Sequence, residues 1–191
     1  RVKNLLSIVQ AIARQSASTG AGDFLDKFNG RLQALAACQT VFVTSNWKDI
    51  DLWNLLSEQV AHLGDANRAR IYLEGEATRL SPEIAQMLAL AIYELGTNAV
   101  KYGALSNSSG TVHIAWSRAI DENFSPRFRM TWRERGGPAI ERPPARQGFG
   151  GKVTGGMLRA SLAANIEASY EPSGFAWSLD CPYEKLTGPQ I

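Results

Sequence analysis

The chain has 191 residues, 45% of them hydrophobic and 20% charged, with a formal net charge of +2. A chain this apolar can bury a core, which excludes disorder, and so small a net charge leaves no global field that would draw it to nucleic acid or to a membrane surface. No apolar run approaches the roughly 18 to 20 residues needed to cross a bilayer, and residues 1–13 lack the h-region and cleavage site of a signal peptide, so the sequence reads as soluble and cytoplasmic. Cys38 and Cys181 lie far apart, and no Cys/His cluster has metal-ligand spacing, which suits a reducing compartment.

In chain order, Val2, Leu5, Leu6, Val9, Ile12 and Ala13 form a helical stripe over residues 2–13. Ser16 to Gly22 breaks it, Asp23 fits an N-cap, and Phe24, Phe28, Leu32, Leu35 and Cys38 form a second stripe. Two such helices predict an antiparallel hairpin that cannot bury its stripes alone; a second copy of the chain is the simplest cover. Asp51 can cap a helix from about Leu52 to Leu63, and residues 69–74 read as a strand. Ser81-Pro82 is a capping serine followed by proline at the first helical position, and that helix runs to about Tyr102, stopping at Gly103. Strands follow at 111–117 and 127–134, then a Gly/Pro-rich stretch to Gly156, a short helix at 157–164, and strands at 166–170 and 175–181 joined through Pro172-Ser173-Gly174. The order predicts an α+β fold: an N-terminal antiparallel helical hairpin, then an α/β sandwich whose mixed sheet is covered by helices on one face. There is no repeat and no low-complexity tract.

Three places carry chemistry. In the helix from Ser81, Glu94, Asn98 and Lys101 stand at i, i+4 and i+7 and share a face, beside an apolar face of Leu88, Ile92, Leu95 and Ala99. A carboxylate base, an amide oxygen that suits a hard cation such as Mg²⁺, and a cation that offsets phosphate charge fit phosphoryl transfer. A solvated helix face is the alternative. Glu134 lies at a strand end before Gly136, Gly137 and Pro138, where it can accept the exocyclic amine of adenine against bare backbone. Gly148-Phe149-Gly150-Gly151 offers backbone N–H groups ahead of a helix, as a phosphate cradle or as a flexible loop.

Tyr93-Glu94-Leu-Gly-Thr-Asn98-Ala99-Val-Lys101-Tyr102-Gly103-Ala104-Leu105 closely resembles the N box of the HWE family of bacterial sensor histidine kinases. Trp132-x-Glu134-x-Gly136-Gly137-Pro138 resembles that family's G1 region and Gly148-Phe149-Gly150 its G2 box. Arg1-Val2-Lys3-Asn4-Leu5-Leu6 with Val9-Gln10-Ala11-Ile12-Ala13 resembles its phosphoacceptor helix. The match runs in order over nearly the whole chain.

The resemblance implies a kinase core: a phosphotransfer hairpin over residues 1–44 and a Bergerat-type (GHKL) ATP-binding domain over 45–191. It implies ATP and Mg²⁺ as cofactors, a response-regulator receiver domain as partner, an upstream sensor domain absent from this chain, and dimerisation through the hairpin, although some kinases of the family act as monomers. Glu94 would polarise or deprotonate the acceptor histidine, Asn98 would coordinate Mg²⁺, and Lys101 would contact phosphate. Glu134 would read adenine where other histidine kinases use aspartate, and Gly136 and Gly137 would border the purine. Residues 139–156 would form the ATP lid, with Gly148 and Gly150 near the phosphates; Tyr102 and Phe149 complete the nucleotide-binding set. Two departures stand out. The family is named partly for a histidine before the N-box Glu, where this chain has Tyr93. The family's acceptor histidine directly precedes the Arg1 position, so the chain reads as a fragment beginning just after it; His62 and His113 read as structural or surface residues. Two other functions fit parts of the sequence: a degenerate phosphotransferase that docks response regulators without using ATP, and another GHKL ATPase or a serine kinase.

Overall fold

The computed structural model describes residues 9–10, 12–13, 24–44, 50–141 and 156–187. Val9, Gln10, Ile12 and Ala13 are helical, and Ile12 is buried. Helix α1 spans Phe24–Thr44, running past the stripe read from the sequence. Strand β1 (Ile50–Asp51) leads into α2 (Leu52–Ala61), whose first turn is capped by Asp51 through Asn54 N–H to Oδ1 at 3.0 Å. A short α3 (Asp65–Arg68) precedes β2 (Ile71–Gly75) and β3 (Arg79–Leu80). Ser81 caps α4 (Pro82–Lys101), and a 3-10 turn follows at Ala104–Ser106. Strands β4 (Thr111–Ile120) and β5 (Pro126–Arg135), helix α5 (Leu158–Leu162), strands β6 (Asn165–Glu171) and β7 (Gly174–Pro182), and a 3-10 turn at Tyr183–Leu186 complete the order.

The main sheet has the order β2-β4-β5-β7-β6, with β2 parallel to β4 and the other neighbours antiparallel. Alternation sorts its faces. Val112, Ile114 and Trp116, Phe128, Met130 and Trp132, and Trp177, Leu179 and Cys181 point into one buried core with α4, while His113, Arg129 and Arg133 lie exposed on the other face. This is the α+β architecture expected: a mixed sheet with helices over one side.

The cover of the hairpin stripe differs from expectation. Ala34, Leu35, Cys38, Val41 and Phe42 of α1 are buried in the same continuous core as α2, α4 and the sheet. Gln59 of α2 donates from Nε2 to Ala34 O at 3.1 Å. Of the stripe read from the sequence, Leu35 and Cys38 are thus covered by this chain's own helices, where α1 packs across α2 and α4, while Phe24, Phe28 and Leu32 stay half-buried.

Candidate active site

Helix α4 is started by Ser81, whose Oγ accepts from Ile84 N–H at 3.3 Å, with Pro82 in the first turn. Leu88, Ile92, Leu95 and Ala99 are buried, which fixes the helix's rotation on the sheet. That rotation leaves Asn98 and Lys101 exposed, but Glu94 is only 7% exposed. The three side chains share a helix face yet not an environment, because α1 crosses α4 at the level of Glu94. Arg31 Nε donates to Glu94 Oε1 at 2.7 Å, and the two side chains are 3% and 10% exposed. The carboxylate faces an arginine of the hairpin, and the amide and ammonium face solvent. Tyr93 turns to the same helix, its hydroxyl lying against Gly30. Burial raises the Tyr93 phenol above its ordinary value; the Glu94 charge raises it further and Arg31 opposes both.

At the far end of α4, Asn98 O accepts from Tyr102 N–H at 2.8 Å and from Gly103 N–H at 3.1 Å, closing the helix. Tyr102 is 75% exposed. Glu134 takes the last inward position of β5, after Phe128, Met130 and Trp132, so strand alternation itself drives a carboxylate toward the core. It is buried and held at both oxygens: Ala104 N–H donates to Oε2 at 2.8 Å and Trp132 Nε1 to Oε1 at 3.0 Å. Burial raises its proton affinity above the ordinary carboxylate, with the Ala104 N–H and the Trp132 indole opposing. A Cβ at Gly103 would come within 2.0 Å of Glu134 Oε2, and one at Gly137 within 2.7 Å of Ala104 Cα. Glycine at both positions lets the helix end, the carboxylate and the G1 backbone close on one another.

Sequence reasoning missed the braces behind this junction. Arg70 donates from Nη1 to Asn107 O at 2.5 Å and to Gly110 O at 3.1 Å, and from Nη2 to Asn67 Oδ1 at 2.8 Å and Leu105 O at 3.3 Å. Asn107 donates from Nδ2 to Gly136 O at 2.8 Å, and its Oδ1 accepts from Ser109 and Gly110 N–H at 3.0 and 2.8 Å. The Asn-Ser-Ser-Gly turn at 107–110 was a signal for Asn107. Nothing in the sequence marks Arg70, whose partners are mostly carbonyls. Gly136 and Gly137 lie beside this junction, whereas Gly148, Phe149 and Gly150 lie outside the described residues.

A family model described as HWE histidine kinase matches residues 1–77. A blue-light-activated histidine kinase of Brucella anthropi is 33% identical over 193 residues, covering 100% of this chain and 39% of that protein. Its counterpart in Brucella abortus is 33% identical over 176 residues, covering 91% of this chain and 36% of the relative. The chain belongs to the HWE histidine kinase family. The histidine kinase domain of an Erythrobacter litoralis blue-light-activated histidine kinase has the same fold, with a TM-score of 0.64 at 16% identity over 97% of this chain and 89% of that one. The catalytic domain of histidine kinase ThkA has a TM-score of 0.53 at 13% identity, covering 71% of this chain and 96% of that domain. The HWE chain thus spans less than half the length of the curated relatives it matches. Among its described residues no helix is long and apolar enough to cross a membrane, and no group of three or more His, Cys, Asp or Glu side chains could hold a metal ion. His62 and His113 are both exposed and lie off the hairpin.

Proposed function

We propose that residues 1–44 and 45–191 are the phosphotransfer hairpin and the ATP-binding domain of a sensor histidine kinase core. In this reading the core phosphorylates a histidine ahead of Arg1 and passes the phosphoryl group to a response-regulator aspartate. The observation that carries it is the junction of the α4 end, Glu134 and Gly137. Each Glu134 oxygen accepts one protein hydrogen bond and keeps a lone pair, so the carboxylate can still take the amine of adenine. Gly103 and Gly137 let the end of α4, this carboxylate and the G1 backbone pack against one another, which sets the position of the carboxylate. Asn98 and Lys101 are exposed one to two turns along α4 from Glu94, open to a polyphosphate. The donor set fits ATP with its Mg²⁺: Asn98 would hold the metal, which when bound offsets charge on the phosphate oxygens. Tyr102 and the glycines at 148 and 150 complete the nucleotide set on the resemblance of the boxes alone.

In the transfer, a ring nitrogen of the acceptor histidine attacks the γ-phosphorus, the bond to the bridging oxygen breaks, and ADP departs. Glu94 takes the proton from the other ring nitrogen. Arg1 follows the acceptor and is a cation at neutral pH, so it cannot be the base. The test has two parts. Calorimetry should show ATP binding that needs Mg²⁺ in the chain as it stands and is lost in Asn98→Ala with the circular dichroism unchanged. The chain extended by a helical segment bearing histidine directly ahead of Arg1 should incorporate acid-labile phosphate from labelled ATP, and the unextended chain should not. Labelling of the unextended chain, or Mg²⁺-dependent affinity retained in Asn98→Ala, would overturn the reading.

A further inference from the structure

The hairpin helix and the helix bearing the proposed base meet along a seam of consecutive residues. Gly30 faces Tyr93, and Arg31 faces Glu94. Gly30 stands inside the 21-residue α1, where glycine disfavours a helix, yet a Cβ there would lie 1.8 Å from the Tyr93 hydroxyl oxygen. The glycine therefore serves the close approach and not the helix. The docked state also carries polar burdens that a permanent interface would avoid. An ion pair is withdrawn from water at the seam. Gln59 Oε1, beneath α1, and Gln39 Nε2, on α1, are buried and have no hydrogen-bond partner among the described residues. Water would meet all of these groups if α1 left.

We propose that α1 is an autoinhibitory latch: docked through Arg31–Glu94 and Gly30–Tyr93, it withholds the base from the acceptor, and phosphorylation proceeds only from the population in which α1 has left this seam. The proposal rests on the reading of Glu94 as the base. Arg31 holds Glu94 Oε1 and α1 buries the carboxylate to 7% exposure, so an imidazole reaches it only once α1 has moved aside. Whatever loosens the hairpin then sets the rate.

The histidine-extended chain tests it. Arg31→Met removes the charge and keeps an apolar stem; it should raise the initial rate of labelling roughly 10- to 100-fold, the inverse of a released population of about 1–10%, with ATP affinity unchanged. Amides of residues 24–44 should exchange hydrogen faster. Arg31→Lys, which restores a cation, should bring the rate back toward that of the parent. Gly30→Ala opens the seam sterically with both charges in place and should also accelerate labelling, so the proposal stays testable if Arg31→Met folds poorly. Faster exchange in 24–44 without faster labelling in either variant overturns the latch. Undiminished labelling in Glu94→Gln with the parent Arg31 overturns instead the assignment of the base.

Discussion

Glu134 shows how a single residue can be costly to the fold and suited to a ligand. Its side chain sits where strand alternation demands an apolar group, and it is tolerated because Ala104 and Trp132 each donate to one oxygen. Burial lifts its proton affinity above the ordinary value of 4.5. The folded state then holds that proton more tightly than the unfolded chain does. Its contribution to stability is complete below the ordinary value and is lost as pH rises through the folded one. Calorimetry of the nucleotide-free chain at stepped pH should therefore show the melting temperature of the parent falling relative to Glu134→Gln across that window. A constant difference between the two proteins would show that Glu134 does not titrate there. The same group predicts specificity. Glu134→Ala should weaken ATP more than inorganic triphosphate and narrow the preference for ATP over GTP, because the site loses its partner for one particular amine. An equal fall in both nucleotides would remove Glu134 as the adenine reader.

At the scale of elements, much of the fold is legible in the sequence. Asp51 and Ser81-Pro82 announce the starts of α2 and α4, and both caps are made. The alternating residues near 111–117 and 127–134 become β4 and β5, which run a few residues beyond the pattern because strand ends can pair without burying a side chain. The two-residue strands β1 and β3 are too short to leave a period. What the sequence leaves open is what covers each face. The stripe in α1 tells which side is apolar but not which surface meets it, and the spacing of Glu94, Asn98 and Lys101 tells that they align but not that α1 crosses over the first of them. The boxes read from the sequence include Glu134 and Gly137, which the fold brings to the end of α4; the Arg70 brace escapes because backbone partners carry no sequence mark, and the turn at 107–110 marks Asn107 without showing that it reaches Gly136. Two substitutions separate an element's stability from its position. Ser81→Ala should cost about 1 kcal/mol by loss of the cap, lowering the melting temperature by roughly 2–4 °C with ATP affinity unchanged. Gly137→Ala presses on the Ala104 backbone, which has no flexible end to yield, and should both lower the melting temperature and weaken ATP at least tenfold in calorimetry. Loss of affinity in Ser81→Ala, or its retention in Gly137→Ala, would contradict the placement of the nucleotide at this junction.

On the scale of the whole molecule, one core runs from Ile12 through α1 to the sheet, so the hairpin and the rest of the chain share their apolar cover. This sets the hairpin's choices. Pairing with a second copy through Leu35, Cys38 and Phe42 requires these residues to leave α2 and α4 first. Any dimer built on that stripe therefore competes with the docked state, and the latch and the oligomer draw on the same surface.

The two cysteines make these motions separable by chemistry alone. Both are fully buried and their thiols are pushed up to about 12, Cys38 by burial and Cys181 by burial together with Asp180 and against Arg127. The thiolate is the reacting form, so neither is attacked by an alkylating reagent while it stays covered. Cys38 lies on α1 with the Gln59 amide 3.8 Å from its sulfur, whereas Cys181 lies in β7 with β5 on one side and β6 on the other. Departure of the hairpin bares the first, and only rupture of the sheet bares the second. Iodoacetamide followed by mass spectrometry should mark Cys38 well before Cys181, and Arg31→Met should hasten Cys38 alone. Alkylation of both at one common rate would mean that α1 never departs without the whole chain unfolding. The molecule thus carries two clocks of its own, one started by the hairpin and the other by the loss of the fold.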